Sequence, residues 1–171
     1  MKEQIEQHLQ QLVGLKLTST TRAANMECLK FGNLLDTNKE GKEIEIGEFA
    51  LHLQCPWRFT YETKVLIGSL DLYEAVDENA EYDEHFDWDK PNGNLRDFKL
   101  QEIIKTQDLI ATSVVADTFG GFDVLFSNGI KLSVFPAYSK VDQYSEYWRL
   151  LTNKATNRNH FVVGCFGVLQ D

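Results

Sequence analysis

The sequence predicts an α+β domain: one unit spanning residues 1–171, built on a mainly antiparallel, curved sheet of about eight strands with one or two short helices. Three observations carry this. Extended apolar alternations come in consecutive runs rather than between helical segments, which argues against βαβ units. Turn-forming clusters such as DTNKEGK and SNG punctuate those runs. A chain of 171 residues with 43% apolar and 25% charged side chains is enough for one globular core.

Residues 2–12 place Ile5, His8, Leu9 and Leu12 on one stripe of a short amphipathic helix, with Gly14 as its stop. Two strands follow, at 15–20 and 25–31, joined by a polar turn. In KEIEIGEFALHL the apolar positions are Ile44 and Ile46, then Phe49, Leu51 and Leu53. The phase flips at Gly47–Glu48, so Gly47 is expected to host a bulge or a sharp bend. Through FALHLQCPWRFTY the odd positions from Phe49 to Tyr61 form the set that a strand buries, and His52, Gln54 and Arg58 belong to the other set. Pro56 has no N–H for a ladder, so this strand is at an edge or ends near Cys55. KVLIGSL (64–70) supplies the next strand.

Residues 71–97 form an insert with no sustained period, and its aromatics Tyr73, Tyr82, Phe86 and Trp88 imply that it is pinned to the body. Residues 97–105 read as a helix capped by Asp97, with Leu100, Ile103 and Ile104 inward; the alternation Phe98, Leu100, Glu102, Ile104 also permits a strand, and the helix is favoured. In FGGFDVLFSNGIKLSVFP, a three-residue loop Ser127–Asn128–Gly129 pairs Phe126 with Ile130, Val124 with Leu132 and Phe122 with Val134. That register puts every apolar partner on one face and leaves Asp123, Lys131 and Ser133 on the other, with Gly129 in the left-handed position. Two further strands lie near 144–151 and 160–168.

The net charge of −9 has an address. Asp71, Glu74, Asp77, Glu78, Glu81, Asp83, Glu84, Asp87 and Asp89 carry no Lys or Arg among them, and the remaining 17 acids match the chain's 17 bases. Nucleic acid is excluded as a partner, since its recognition runs on clustered Lys and Arg. No run approaches the ~20 apolar residues of a membrane-spanning helix, and the polar N-terminus lacks the centre of a signal peptide. Cys28, Cys55 and Cys165 are scattered and odd in number, which predicts neither a disulfide framework nor a zinc site and fits a cytoplasmic location.

His52 and Gln54 project to the same side of their strand, and Arg58 follows beyond Pro56, a donor-rich row suited to an anion or a carboxylate. Cys55 stands three residues from His52, on the opposite side, which argues against a Cys–His nucleophile. In SEYWRLL, Glu146 and Trp148 share one face and Tyr147 and Arg149 the other, and Arg149 suits a cross-strand ion pair. DWDKPNG misses the calcium-loop pattern because Pro91 stands where the third ligand belongs. No catalytic residue, metal or cofactor is assigned, and no P-loop, GxGxxG, GxSxG or HExxH occurs.

Three stretches together, ALHLQCPWRF with GSLDLY, then GGFDVLFSNGIKLSVFP, then EYWRLL with HFVV, resemble a loose group of small uncharacterised bacterial cytoplasmic proteins with an ALHxQCPWR…GxxDL core. The resemblance spans roughly residues 45–165 and implies no activity. It singles out His52, Gln54, Trp57, Arg58 and Asp71, with Glu146, Trp148 and Arg149. The expectation is a non-enzymatic binding protein, similar in size and charge to an immunity protein, that meets a basic protein partner through Asp77, Glu78, Glu81, Asp83 and Glu84. The alternative is a small-molecule or anion-binding domain, with or without catalysis, that uses His52, Gln54 and Arg58, with Asp71, Glu146 and Arg149 as further ligand candidates.

Overall fold

The structure, a computed structural model, describes residues 1–77, 79–81, 83–141, 145–154 and 160–169. It is mostly antiparallel sheet with few short helices. The expected single curved sheet of eight strands is corrected: among the described residues, thirteen strands are arranged in three sheets.

The N-terminal stripe forms helix α1 (Lys2–Leu9) and a 3-10 turn (Gln10–Leu12), which bury Ile5, Leu9 and Leu12. His8 stacks on Phe161 with ring centroids 3.8 Å apart. Gly14 turns the chain at φ +89°. Strands β1 (Leu17–Ala23) and β2 (Met26–Phe31) form a hairpin, and β3 (Leu35–Thr37) with β4 (Glu43–Glu45) forms a separate two-stranded ribbon. Gly47 takes φ +70° at the phase flip, so that β5 (Phe49–Leu53) presents Phe49, Leu51 and Leu53 to the core.

The Pro56 corner organises the rest. β5 ends at Leu53 and lies inside the first sheet, between β2 and β11 (Glu146–Thr152); β6 (Trp57–Tyr61) lies inside the second, between β7 (Lys64–Gly68) and β10 (Lys131–Val134). The first sheet runs β1-β2-β5-β11-β12-β13, with β12 at His160–Gly164 and β13 at Gly167–Leu169. The second runs β7-β6-β10-β9-β8, with β8 at Ala111–Ala116 and β9 at Phe122–Phe126. The β9–β10 hairpin has the register Val124 with Leu132 and Phe122 with Val134, closed by a Phe126 N–H bond to the Ile130 carbonyl at 2.8 Å, with Gly129 at φ +83°.

Both sheets drain into one core. Phe122 of β9 meets Trp148 of β11 edge-on at 4.8 Å, and the Trp148 indole N–H donates to the Gly120 carbonyl at 2.7 Å. Burying an aromatic of that size contributes roughly 2 to 3 kcal/mol. α1 packs on β8, and helix α2 (Leu95–Thr106) packs on β1 and β7. The segment 97–105 is therefore helical, but its cap is Asn94, whose side-chain oxygen accepts from the Asp97 N–H at 2.9 Å; Asp97 sits in the first turn. Among the described residues, no helix is long and apolar enough to cross a membrane.

Candidate functional site

Buried polar side chains are costly unless partnered, so their placement marks where a fold is under demand. Glu27, Asn94, Arg96 and Asp97 are buried together where the β1–β2 hairpin, the start of α2 and the acidic insert meet. Arg22 is the hub. Its Nε donates to both Asp97 oxygens at 2.9 and 3.1 Å, its Nη1 to Asp89 Oδ1 at 2.6 Å, and its Nη2 to the carbonyls of Trp88, Asp89 and Lys90. Burial works against the charged guanidinium, but its hydrogen bonds to Asp97 and Asp89 outweigh it and its pKa is raised. Asn94 adds a second tie, donating from Nδ2 to the Trp88 carbonyl at 3.0 Å while it caps α2.

Beneath this clamp lies a second ion pair. Arg96, 1% exposed, donates from Nη1 to the carbonyls of Asn25 and Ser69 and lies 5.8 Å over the Trp57 ring. Its Nε is 3.3 Å from Glu27 Oε2, in a geometry that makes no hydrogen bond. Thr20 donates to the other Glu27 oxygen. Burial raises the Glu27 carboxyl to about 7, against the pull of Arg96 and Thr20. The same burial lowers the Arg96 pKa.

The clamp fixes the acidic insert. Tyr73 and Trp88 meet edge-on at 5.5 Å, and the Leu95 N–H donates to the Glu74 carbonyl at 2.9 Å. Between those anchors the chain turns on its own carboxylates: Asp77, Asp83 and Asp87 accept from the N–H groups of Asn79, His85 and Asp89. Asp77, Glu81, Asp83, Glu84 and Asp87 are exposed, and Glu84 lies 3.6 Å from His85. Glu78 and Tyr82 lie outside the described residues.

The row His52, Gln54, Arg58 does not converge. His52 lies on β5 in the first sheet, between Cys28 and Arg149, half-buried, its pKa lowered by burial and by Arg149. Arg58 lies on β6 in the second sheet, 5.5 Å over the Phe135 ring, beside a cavity of about 320 Å³ whose wall includes Asp117, Asp123 and Lys131. Gln54 sits at the corner between them, its N–H bonded to the Tyr147 carbonyl at 2.9 Å. Asp71 accepts from the Gly68 N–H at 3.0 Å and stands 3.9 Å from Lys99. Glu146 and Arg149 do meet, with 2.6 Å between Arg149 Nε and Glu146 Oε1, but along one strand rather than across two. A bulge between Glu146 and Trp148 turns Glu146 onto the face of Arg149, which corrects the simple alternation. Burial pushes the Cys55 thiol up to about 12, as in a structural cysteine.

Arg22, Glu27, Asn94 and Arg96 went unassigned in the sequence. One signal was present: NLRD places Asn94 three residues before an acid, the pattern of a helix start. Two cavities border the junction. The larger, about 360 Å³, has Thr20, Arg22, Glu27, Asp89, Asp97 and Gln101 on its wall beside Pro91 and Leu100. The smaller, about 80 Å³, lies at the Pro56 corner. No protein-family model matches the chain, and neither a curated protein nor a solved structure was found to be similar to it.

Proposed function

We propose that this chain is a binding protein whose acidic insert receives a basic protein partner, in the manner of an immunity-type domain that masks a cationic target. One observation supports this above the rest: a stretch that carries nine acids without a Lys or Arg is tied to the body at its Trp88–Lys90 end by Arg22 and Asn94. Like charges repel one another, so a flexible loop would carry them at lower cost. Holding them in place pre-organises the surface, which lowers the ordering cost of association, and the field steers a cationic partner inward. A cytoplasmic setting goes with this reading, given scattered thiols of which Cys28 and Cys55 are buried.

The test is retention on immobilised protein. Wild type should hold proteins of isoelectric point above about 9 from a lysate of its own source, and release them with salt as screening sets in. Replacing Asp77, Glu81 and Glu84 together by Ser should abolish that retention while leaving the melting temperature in place. Retention unchanged in the variant rejects the reading.

Of the cavities that a small molecule could enter, the one at this junction has about 360 Å³ and lies beside Arg22. Its wall carries Glu27, Asp89 and Asp97, which oppose an anion, and His52 and Arg58 contribute nothing to it.

A further inference from the structure

Two stretches of the sequence that stand apart, QCPW (54–57) and GSLDLY (68–73), build one small pocket. Gly68 opens the 3-10 turn Ser69–Tyr73, and the Ser69 hydroxyl accepts from the Trp57 N–H at 3.3 Å, which draws the turn against the Pro56 corner. The wall includes Pro56, Trp57, Leu70, Leu72, Tyr73 and Tyr138, alongside the polar Asn25, Gln54 and Ser69. Three of these project into solvent: Leu70 is 71% exposed, Tyr138 57% and Tyr73 49%. Apolar side chains of this size are not left together at a surface without reason. The space, about 80 Å³, holds about three water-sized groups, the bulk of a branched aliphatic side chain.

Charge says what can fill it. Arg96 forms part of the wall, so a basic side chain is repelled from the pocket itself. Immediately beyond Tyr73 the exposed carboxylates begin, with Glu74 and Asp77. A second copy of the chain would bring net charge −9 against −9, and an anionic lipid surface or nucleic acid is repelled in the same way.

Resting on the acidic-surface reading, we infer that the pocket at the Pro56 corner is the anchor point of the interface: it takes one aliphatic side chain of the basic partner, flanked by Lys or Arg residues that lie on the insert. Such an arrangement, an apolar anchor in a small pocket with charges at the rim, is how binding energy concentrates in protein interfaces.

The experiment uses two fluorescein-labelled Lys-rich peptides of equal charge, one with a central leucine and one with a central glycine, titrated with full-length protein at low salt. Wild type should bind the leucine peptide about tenfold more tightly than the glycine peptide. Leu70→Asp decides the cause, because its side chain is exposed and the change adds a negative charge. An anchor pocket predicts weaker binding of the leucine peptide and loss of the preference. Equal binding of the two peptides by wild type, with tighter binding of both by Leu70→Asp, overturns the anchor and leaves the acidic surface standing. Failure of both peptides to bind wild type removes the acidic surface and the anchor with it. A melting curve of Leu70→Asp that matches wild type keeps these outcomes separate from misfolding.

Discussion

Arg22 and Asp97, 75 residues apart in the chain, meet side-on, with both carboxylate oxygens within 3.1 Å of the guanidinium Nε. Each side chain is only 10% exposed. This one contact joins the end of β1 to the first turn of α2 and, through Asp89 and three carbonyls of the insert, to the acidic surface. Removing one partner of a buried pair leaves the other charge without compensation, which typically costs about 3 to 5 kcal/mol. Arg22→Ala should therefore lower unfolding stability by about that amount. It should also open residues 74–92 to limited proteolysis before the sheets unfold. Asp97→Asn on top of Arg22→Ala should recover part of the loss, because no orphan carboxylate remains. Chemical denaturation of wild type and the two variants checks the first and last points; an insert still protected in Arg22→Ala would show that it is held by something else.

Glu27 supplies a pH dependence. Arg96 faces it from α2, Thr20 and Arg22 from β1, and Asp97 stands nearby. Its carboxyl is raised by burial from 4.5 to about 7. An unfolded chain gives up this proton near pH 4.5, whereas the folded chain keeps it until about pH 7. Across that window the native state binds more protons, so this group's contribution is complete below pH 4.5 and is lost as pH rises towards and through 7. Relative to Glu27→Gln, which cannot titrate, wild type should lose about 2 to 3 kcal/mol between pH 5 and pH 8. Urea denaturation at both pH values measures the difference, and a constant offset between the two proteins would place the Glu27 pKa near its ordinary value.

The thiols should sort by burial. Cys55 is 4% exposed with its pKa pushed up to about 12, and Cys28 is 8% exposed and also raised by burial. The thiolate is the reactive form, so both should resist alkylation in the native protein at pH 8. Cys165, half-buried beside the β12–β13 turn, should label first. Mass spectrometry after brief iodoacetamide treatment, with and without denaturant, reads this directly; early modification of Cys55 would mean that the Pro56 corner opens.

How much of this was legible depends on whether the signal was local. The β9–β10 hairpin was, because only one register puts Phe122, Val124 and Phe126 opposite apolar partners. β8 was not: Ala111–Ala116 is ATSVVA, with Thr112, Ser113 and Val115 exposed, so no apolar alternation announces it. The β3–β4 ribbon buries almost nothing, and of its residues only Ile44 carried a signal, within the alternation that flips at Gly47. His52 and Arg58 are parted for a different reason. Cys55 and Trp57 continue the buried alternation straight through the corner, since both sheets face the same core. Periodicity therefore runs on while the strand changes sheet, and only Pro56 marks the break. The junction was hidden for a third reason. Arg22, Glu27 and Arg96 gain their meaning from partners remote in sequence, and one polar residue on an inward face looks like any other until those partners are in place.

Gly47 offers the sharpest test of a feature that was legible. The flip of apolar phase between Ile46 and Phe49 needs a residue in the left-handed region, and Gly47 holds φ +70°. A Cβ there would stand 2.9 Å from the Phe49 carbonyl oxygen and 3.0 Å from both the nitrogen and the oxygen of Phe31. All three are backbone atoms of paired strands, so they cannot step aside without breaking the β2–β5 ladder. Gly41, at φ +78° in the exposed β3–β4 turn, has nothing within 4 Å of an added Cβ. The two positions separate backbone strain from collision. Gly41→Ala should cost only the left-handed strain, about 1 kcal/mol. Gly47→Ala carries the same strain plus a displaced ladder and should cost about 3 kcal/mol or more. It should also shift the amide signals of Phe31 and Phe49, which Gly41→Ala should not. Equal destabilisation by the two substitutions would mean that β5 can enter the sheet without the tight approach at Gly47, and that the phase flip is absorbed elsewhere in 43–49.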